Sequence, residues 1–561
     1  STFATVHQGF EAQVQKTPDA IATQMPGVAY SYAVLNEKAN TLSHYLLNQG
    51  LQPESAVGIC IEPSPDVLVA ILAVLKAGGC YVPIAPNSPA ARIQYIIDKS
   101  DMSAVLSHSA LAVFQSDNDI WLAMDDAALW LNGDTSNPDR NILDTQLLYQ
   151  IFTSGSTGEP KSVGVEHAGM TNLLQWYTRE YAMSDTDHSL IISALGFDLT
   201  QKNLFAALWQ GGSVCFTGSA HYDVKAILSA IKAFDISLLN CAPSAFYPLV
   251  ENRANWSALA SLKTVVLGGE PIELTAISDW LSHNKSSLIN SYGPTECTDI
   301  AAYYKITDGV YDKPYPLPIG HANDNVQLFV LDAERKQCVP GVVGELYIAG
   351  AGVSQGYLLD AEKTKAQFLT LSIANQEQTT AYKTGDLVVM QEGELVYVGR
   401  SDHQIKLRGF RIELGEIESA IKVIPGIKDA IALVKDEQLH AFVTGAGDQV
   451  TVKAALKLSL PSYMVPAQLC FLEAFPLTPN GKIDRKALAG ESIKSVDVIQ
   501  TLPSDPMAVS IAEIWQNLLQ REVVYLEDDF FLLGGHSLLA TKLISRLNTN
   551  LNIKLPVSFA F

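Results

Sequence analysis

The sequence predicts a multidomain protein: a large α/β N-terminal core, a small α+β region after it, and a helical segment at the end. Three observations carry this reading. The chain has 561 residues, too many for one hydrophobic core. Helical and strand patterns alternate over most of its length, as they do in folds built on a largely parallel sheet. A polar stretch with two prolines, Ala489 to Pro506, sets the last helical part apart and reads as a linker. The expected boundaries are 1–400 for the core, 401–488 for the small region, 489–506 for the linker and 507–561 for the end.

The elements follow in order. Val6 to Val14 begins a helix, Ala56 to Ile61 is a strand, Asp66 to Leu75 is a helix, and Gly78 to Pro83 is a turn and strand. Tyr149 to Phe152, the end of the stretch from Gln146 to Phe152, reads as a strand feeding the loop Thr153-Ser154-Gly155-Ser156-Thr157-Gly158-Glu159-Pro160-Lys161. Met170, Leu173, Leu174 and Tyr177 recur at helical spacing and mark a helix after it. The alternation is expected to continue to about residue 395. Val265 to Leu267 is a buried strand running into Gly268-Gly269-Glu270, and Leu288 to Ser291 runs into Tyr292-Gly293-Pro294-Thr295-Glu296. Ligands of open α/β sheets gather at such carboxyl ends of strands. Glu394 to Val398, a strand, leads into the basic segment Gly399 to Gly409. Glu413 to Ile421 is an amphipathic helix, Ala430 to Val434 a strand, and Asn480-Gly481 a tight turn just before Lys482. Ile511, Ile514, Trp515, Leu518 and Leu519 share one helix face, and Leu539, Leu543 and Leu547 share another. The sequence stops as a third helix begins near Lys554 to Ser558, so the last domain is expected to be incomplete.

Composition bounds the function. Apolar residues make up 48% and charged residues 17%, as in a folded globular protein. The net charge is -21, from 38 basic and 59 acidic residues, which speaks against a nucleic-acid binder. Seven scattered cysteines without a C-x-x-C pair read as reduced, buried and cytosolic, and give no zinc-ligand spacing. Ser1-Thr2-Phe3 does not open a signal peptide, and apolar runs such as Val67 to Leu75 are too short to span a bilayer. One local site can still hold an anion. In the 153–161 loop, Gly155 and Gly158 let backbone N–H groups converge, Thr153, Ser154, Ser156 and Thr157 add hydroxyl donors, and Lys161 adds charge. Its spacing is not that of a Walker A loop. Taken alone, such a run also suits a surface turn.

The motif order narrows this. The 153–161 loop, Phe197-Asp198, Tyr292 to Glu296, Gly344-Glu345-Leu346, Tyr382-Lys383-Thr384-Gly385-Asp386, Gly399 to Asp402 and Asn480-Gly481-Lys482 stand in the order found in adenylate-forming enzymes. From about Phe10 to Leu488 the chain resembles an amino-acid-activating adenylation domain of a nonribosomal peptide synthetase. Leu533-Gly534-Gly535-His536-Ser537-Leu538 is similar to the modification site of a peptidyl carrier domain. The resemblance implies a mobile small subdomain, a helical carrier, and activation of an L-α-amino acid with ATP and Mg²⁺. It also implies loading onto 4'-phosphopantetheine, for nonribosomal peptide synthesis.

It implies residue roles too. Lys482 would bridge the substrate carboxylate, ribose and α-phosphate as a charged donor. Glu296 would hold Mg²⁺. Asp386 would accept both ribose hydroxyls, Arg400 would lie at the ribose, Tyr292 would stack on adenine, and Gly269 would let backbone lie close to the base. Glu270, Asn290, Gly293 and Thr295 complete the nucleotide set with the 153–161 loop. Asp402 is the hinge position. Asp198 would pair with the α-ammonium. The family's other pocket positions fall on Leu199, Lys202, Asn240, Val266, Gly268, Ser291, Asp299 and Ile300, a polar wall that implies a polar substrate side chain. Lys202 and Asp299 could pair with each other, or one could face a charged substrate. Ser537 would carry the phosphopantetheine.

The implied partners are the amino acid, a phosphopantetheinyl transferase and a neighbouring condensation domain, with room for an MbtH-like helper. Nucleic acid and membrane are not among them. The competing reading is an acyl- or aryl-CoA ligase with an unrelated C-terminal extension. Asp198 and Gly534 to Ser537 speak against it.

Overall fold

The structure is a computed structural model. It describes residues 3–114, 120–130, 133–155, 159–307, 316–372, 378–402, 404–435, 438–476, 483–490 and 501–519, then 521–526, 528, 530, 533, 535, 537–551, 553 and 555. The chain divides into two compact units. The larger holds Ser1–Ser154, Pro160–Ala220 and Val224–Arg411; the smaller holds Gly155–Glu159, His221–Asp223 and Ile412–Phe561.

In the larger unit, among the described residues, one sheet has seven strands. Its order is Gly356–Tyr357, Lys161–Glu166, Leu147–Thr153, Cys80–Pro83, Ala56–Cys60, Ala104–Ser107, Trp121–Ala123. The strands from Leu147–Thr153 to Trp121–Ala123 are mutually parallel. Helix Pro65–Ala77 serves this layer and is buried on every side. Its sequence, PDVLVAILAVLKA, is apolar all round, the composition of a helix without a solvent face. Pro65 opens it, and Gly78 ends it at φ +85°, a conformation that favours glycine. Its buried Lys76 is held by Glu11 at 2.5 Å and by Asn36 and Asn137 at 2.8 and 3.0 Å.

A second sheet has nine strands: His321–Ala322, Ala302–Ile306, Ser287–Tyr292, Thr264–Gly268, Leu238–Cys241, His188–Ile191, Ser213–Phe216, Ile21–Met25, Val28–Ser31. Its centre is parallel, and Leu238–Cys241, Thr264–Gly268 and Ser287–Tyr292 end side by side. A third sheet is antiparallel, with Val326–Leu331, Gly344–Gly350, Thr379–Gln391 and Phe368–Leu371 in order and Glu394–Arg400 paired to Thr379–Gln391.

Two sequence expectations change here. The alternation does not run to residue 395: after Tyr292 the strands turn antiparallel, beginning with Ala302–Ile306 against Ser287–Tyr292. The helix expected after the glycine-rich loop is preceded by a strand. Lys161–Glu166 pairs antiparallel with Leu147–Thr153, and the helix His167–Glu180 starts only then. The strand is short, and Gly164 hides it. A Cβ there would press into Leu358 and Leu147, so glycine is a packing requirement inside the sheet.

In the smaller unit, Ile427–Lys435, Gln438–Gly445 and Gln468–Leu472 form a sheet with helices Leu414–Lys422 and Gln449–Ser459. Ile431, Leu433, Phe442 and Leu488 are its core, and Arg485 ties Glu418 (2.8 Å) to Ala432 O (2.8 Å). Helices Pro506–Leu519 and Ser537–Asn550 form a separate apolar cluster through Ile514, Leu518, Phe530, Ala540, Leu543, Ile544 and Leu547. Pro506, the last residue of the expected linker, is the first of a helix, a position that suits its fixed φ. The expected third helix, from Lys554, falls largely outside the described residues. No described helix is long and apolar enough to cross a membrane.

Leu72 is fully buried in the Pro65–Ala77 helix. Leu72→Ala should cost about 2–5 kcal/mol. A fall in the urea midpoint at unchanged slope checks this, and an unchanged midpoint would place the helix at the surface.

Candidate active site

The site grows from a buried anion. Glu296 lies just past strand Ser287–Tyr292 and is 0% exposed. Its Oε2 accepts from Arg411 Nη1 at 2.7 Å and its Oε1 from the Tyr357 hydroxyl at 2.8 Å. Arg411 Nη2 also donates to the Tyr382 hydroxyl at 3.2 Å. Burial by itself would push the Glu296 carboxyl up; the charges of Arg411 and Lys161 overcome it and hold the group down at about 2. Lys161 is the first residue of its strand, opposite Thr153, and its ammonium lies 5.7 Å from the Tyr357 ring centre. The loop's base is therefore placed beside the carboxylate. Ser154 Oγ donates to Arg411 O at 2.7 Å. Gly155 N donates to Glu416 Oε2 at 3.0 Å within the smaller unit. Ser156, Thr157 and Gly158 lie outside the described residues.

The second group is a carboxylate clamp. Asp386 Oδ2 accepts from the Tyr292 hydroxyl at 2.5 Å, and Oδ1 from Arg400 Nη1 at 2.6 Å. Strand pairing places Arg400 opposite Asp386. Arg400 also grips Asp402 through Nε and Nη2, at 2.6 and 2.7 Å. The Lys406 ammonium stands 5.2 Å from the Tyr292 ring centre, and burial pulls its titration below the usual lysine range. Gly269 adopts φ +86°, with Gly409 backbone beside it. Glu270 accepts from the N–H groups of Gly409 and, at 3.1 Å, Ser244. Asn290 donates to Pro318 O at 2.7 Å. Gly293 packs against the Asp299 carbonyl, where a Cβ would overlap it.

The third group is the side-chain wall. Asp198 Oδ2 accepts from Thr295 Oγ1 at 2.6 Å and Oδ1 from Leu199 N at 2.7 Å. Thr295, expected with the nucleotide, donates its hydroxyl proton to Asp198, the amine-binding candidate. Lys202 and Asp299 do pair, at 2.5 Å, with Lys202 fully buried. Lys202 also donates to Asn240 Oδ1 at 2.7 Å and Leu199 O at 3.1 Å. Burial pushes the Asp299 carboxyl up, to about 6; Lys202 pulls against the rise and Asp198 adds to it. Thr298 and Asp299 both sit at positive φ, 57° and 67°, a conformation that costs non-glycine residues. Ser291 donates to Leu267 O at 3.1 Å, and a Cβ on Gly268 would overlap its Oγ. Val266 and Ile300 are buried beside them.

Arg411, Tyr357, Tyr382 and Lys406 were not singled out from the sequence. Tyr382 lay inside a quoted motif, and Arg411 stands two residues past the basic segment; their alignment on Glu296 is a contact between distant strands. Lys482 lies outside the described residues. Ser537 opens helix Ser537–Asn550, and its side chain is likewise not described.

Comparison with known proteins gives the frame. The AMP-binding enzyme family matches residues 10–358. The chain belongs to the AMP-binding enzymes. Their C-terminal domain matches residues 416–482, and a phosphopantetheine attachment site matches residues 509–561. The chain is therefore an adenylate-forming ligase domain followed by a carrier domain. A linear gramicidin synthase of Brevibacillus parabrevis is 36% identical over 99% of this chain and 11% of its own length. Tyrocidine synthase 3 of the same organism is 35% identical over 99% of this chain and 9% of its own. The chain thus spans about a tenth of these relatives. Among solved structures, holo-PA1221, an NRPS protein with adenylation and PCP domains bound to a vinylsulfonamide inhibitor, aligns at a TM-score of 0.83. It shares 28% identity and covers 98% of this chain and 92% of that one. The four-domain synthetase AB3403, bound to AMP and glycine, aligns at 0.64 with 31% identity, covering 99% of this chain and 41% of that one.

The Glu296 carboxyl titrates below its ordinary 4.5 in the fold. Its contribution to stability is full above about 4.5 and is lost as pH falls toward about 2. Glu296→Gln should remove that acid-side slope. It should also cost roughly 3–5 kcal/mol at neutral pH, because Arg411 is left without its counter-charge. Urea midpoints across roughly pH 2 to 7 check both, and parallel pH curves for the two proteins would refute them.

Proposed function

We propose that the chain activates an L-α-amino acid with a polar side chain as its aminoacyl adenylate, then loads it on its own carrier. The carrying observation is Asp198. Its carboxylate is fixed by the Thr295 hydroxyl and the Leu199 N–H, and no cationic side chain hydrogen-bonds to it among the described residues. An anion so placed accepts an ammonium.

In the first step, a carboxylate oxygen of the amino acid bonds to the α-phosphorus of ATP, and pyrophosphate leaves with the bond's electrons. The chain's part is to hold charge. Asp386, held by Arg400 and Tyr292, keeps on its carboxylate the further lone pairs that accept from ribose hydroxyls. Glu296 fits a cation, since it already seats the Arg411 guanidinium. Mg²⁺, when bound there, would offset phosphate charge. Lys482 is proposed as the donor at the α-phosphate and substrate carboxylate. Ser537 is proposed as the attachment point of 4'-phosphopantetheine, which would supply the thiol that takes the aminoacyl group. Asp402, gripped by Arg400, is proposed as the pivot between poses of the small subdomain. The free cysteines support a cytoplasmic setting. A phosphopantetheinyl transferase and neighbouring synthetase domains are the proposed partners.

Lys482→Ala should slow pyrophosphate exchange on the order of 10²–10³-fold. Ser537→Ala should leave exchange intact and abolish covalent loading, read by intact-protein mass after treatment with a phosphopantetheinyl transferase and coenzyme A. A pantetheine adduct on the Ser537 variant would sink the carrier assignment. Asp198→Ala should erase the preference for α-amino acids over their deaminated analogues, a loss of roughly 3–5 kcal/mol for a buried ammonium without its partner. An unchanged preference would place the amine elsewhere.

A further inference from the structure

The carboxylate proposed to hold a divalent cation already holds a different one. Glu296 is 0% exposed, and both of its oxygens are taken: Oε2 by Arg411 Nη1 at 2.7 Å, Oε1 by the Tyr357 hydroxyl at 2.8 Å. Mg²⁺ asks for another surrounding. It demands near-octahedral oxygen ligands and keeps several of its own waters. A carboxylate with no surface open to water and a guanidinium on one oxygen cannot offer that. A metal beside Arg411 would also set like charges together in a buried site, where repulsion is poorly screened.

The segment that carries Arg411 is placed to come and go. Its strand Gln404–Leu407 belongs to a sheet of two strands, apart from the larger sheets. Its ties to the core are a few directional contacts. The Lys406 ammonium faces the Tyr292 ring, the Gly409 N–H donates to Glu270, and the Phe410 ring meets Phe197 edge-on at 4.9 Å. The Arg411 carbonyl accepts from Ser154 Oγ at 2.7 Å. Tyr292, Glu270, Ser154 and Glu296 are all residues expected to serve the nucleotide and its metal. The segment and the nucleotide therefore call on the same groups. Asp402, the proposed pivot, stands just before the segment in the chain.

We infer that Arg411 is the counter-ion that takes the metal's place on Glu296: guanidinium and divalent cation are alternative partners of one carboxylate. The inference rests on the reading of Glu296 as the metal-holding carboxylate. The metal is the partner while the adenylate forms, and Arg411 is the partner once pyrophosphate has left. No covalent bond changes in the exchange. Glu296 is paired in both states, as a buried ion requires. By linkage, metal on Glu296 favours release of the 404–411 segment, and the docked segment disfavours metal.

The test uses the full chain without nucleotide, with Mn²⁺ as the probe and free Mn²⁺ read from its EPR signal. Wild type, Arg411→Gln, Glu296→Gln and the double variant are compared, and the site in question is the one lost in Glu296→Gln. Apparent affinity falls with the fraction of molecules whose site is open. If the guanidinium fills the site about nine times in ten, Arg411→Gln should tighten Mn²⁺ binding on the order of 10-fold. The gain should vanish in the double variant. Equal affinity in wild type and Arg411→Gln, or a gain that survives in the double variant, overturns the exclusion. A second measurement needs no Arg411 variant to fold. Saturating Mg²⁺ should speed amide hydrogen exchange over residues 404–411 in wild type and leave it unchanged in Glu296→Gln. Exchange there that ignores Mg²⁺ in wild type overturns the inference. Mn²⁺ binding lost with Glu296 but indifferent to Arg411 removes the exclusion alone. Mn²⁺ binding and metal-dependent pyrophosphate exchange that both survive in Glu296→Gln remove the metal reading of Glu296 with it.

Discussion

A carboxylate with no exposure to water must be paired, and much of the larger unit is arranged around pairing Glu296. The ion sits where a parallel strand ends. Tyr357 comes from the edge of one sheet, Tyr382 from the antiparallel sheet, Lys161 from the hairpin that carries the glycine-rich loop, and Arg411 from the last residue of the unit. Three of these segments act on the carboxylate itself, and Tyr382 holds its guanidinium partner. Such a pair is weak evidence for stability, because desolvation consumes most of the attraction. Its worth is in register: any slip of a contributing strand would leave an ion without its partner.

Much of this was legible in the sequence, for reasons that differ by element. The helix Pro65–Ala77 announced itself by a run of apolar residues between a proline and a glycine. Strands Thr264–Gly268 and Ser287–Tyr292 were marked by apolar runs ending in glycine or a tyrosine-glycine turn, and both hold candidate residues at their carboxyl ends. The short strand Lys161–Glu166 was not legible, since polar ends and a glycine disguise it, and pairing with Leu147–Thr153 decides its state. The antiparallel part after Tyr292 was missed because apolar spacing reports burial and period, and is silent on strand direction.

The site divides in the same way. Motif order pointed to Glu296, Asp386, Tyr292 and Asp198, each next to a turn that locates it. What it could not supply were the contacts. Sequence reading left Lys202 and Asp299 with two outcomes, a mutual pair or a charge facing the substrate; their pairing spans 97 positions, beyond the reach of local pattern. Arg411 carries no motif of its own, and only its place opposite Glu296 gives it meaning.

The Lys202–Asp299 pair also limits how such a domain can be re-specified by recombination. Each partner is tolerable inside the protein because of the other, so a donor segment that brings one and leaves the other imports a solitary buried ion. Crossover points between residues 202 and 299 separate the two. Exchanges with both junctions outside that interval carry the pair intact, and they move Asn240, Gly268 and Ser291 with it. What passes safely from one chain to another is therefore the continuous block from 202 to 299 rather than either position alone.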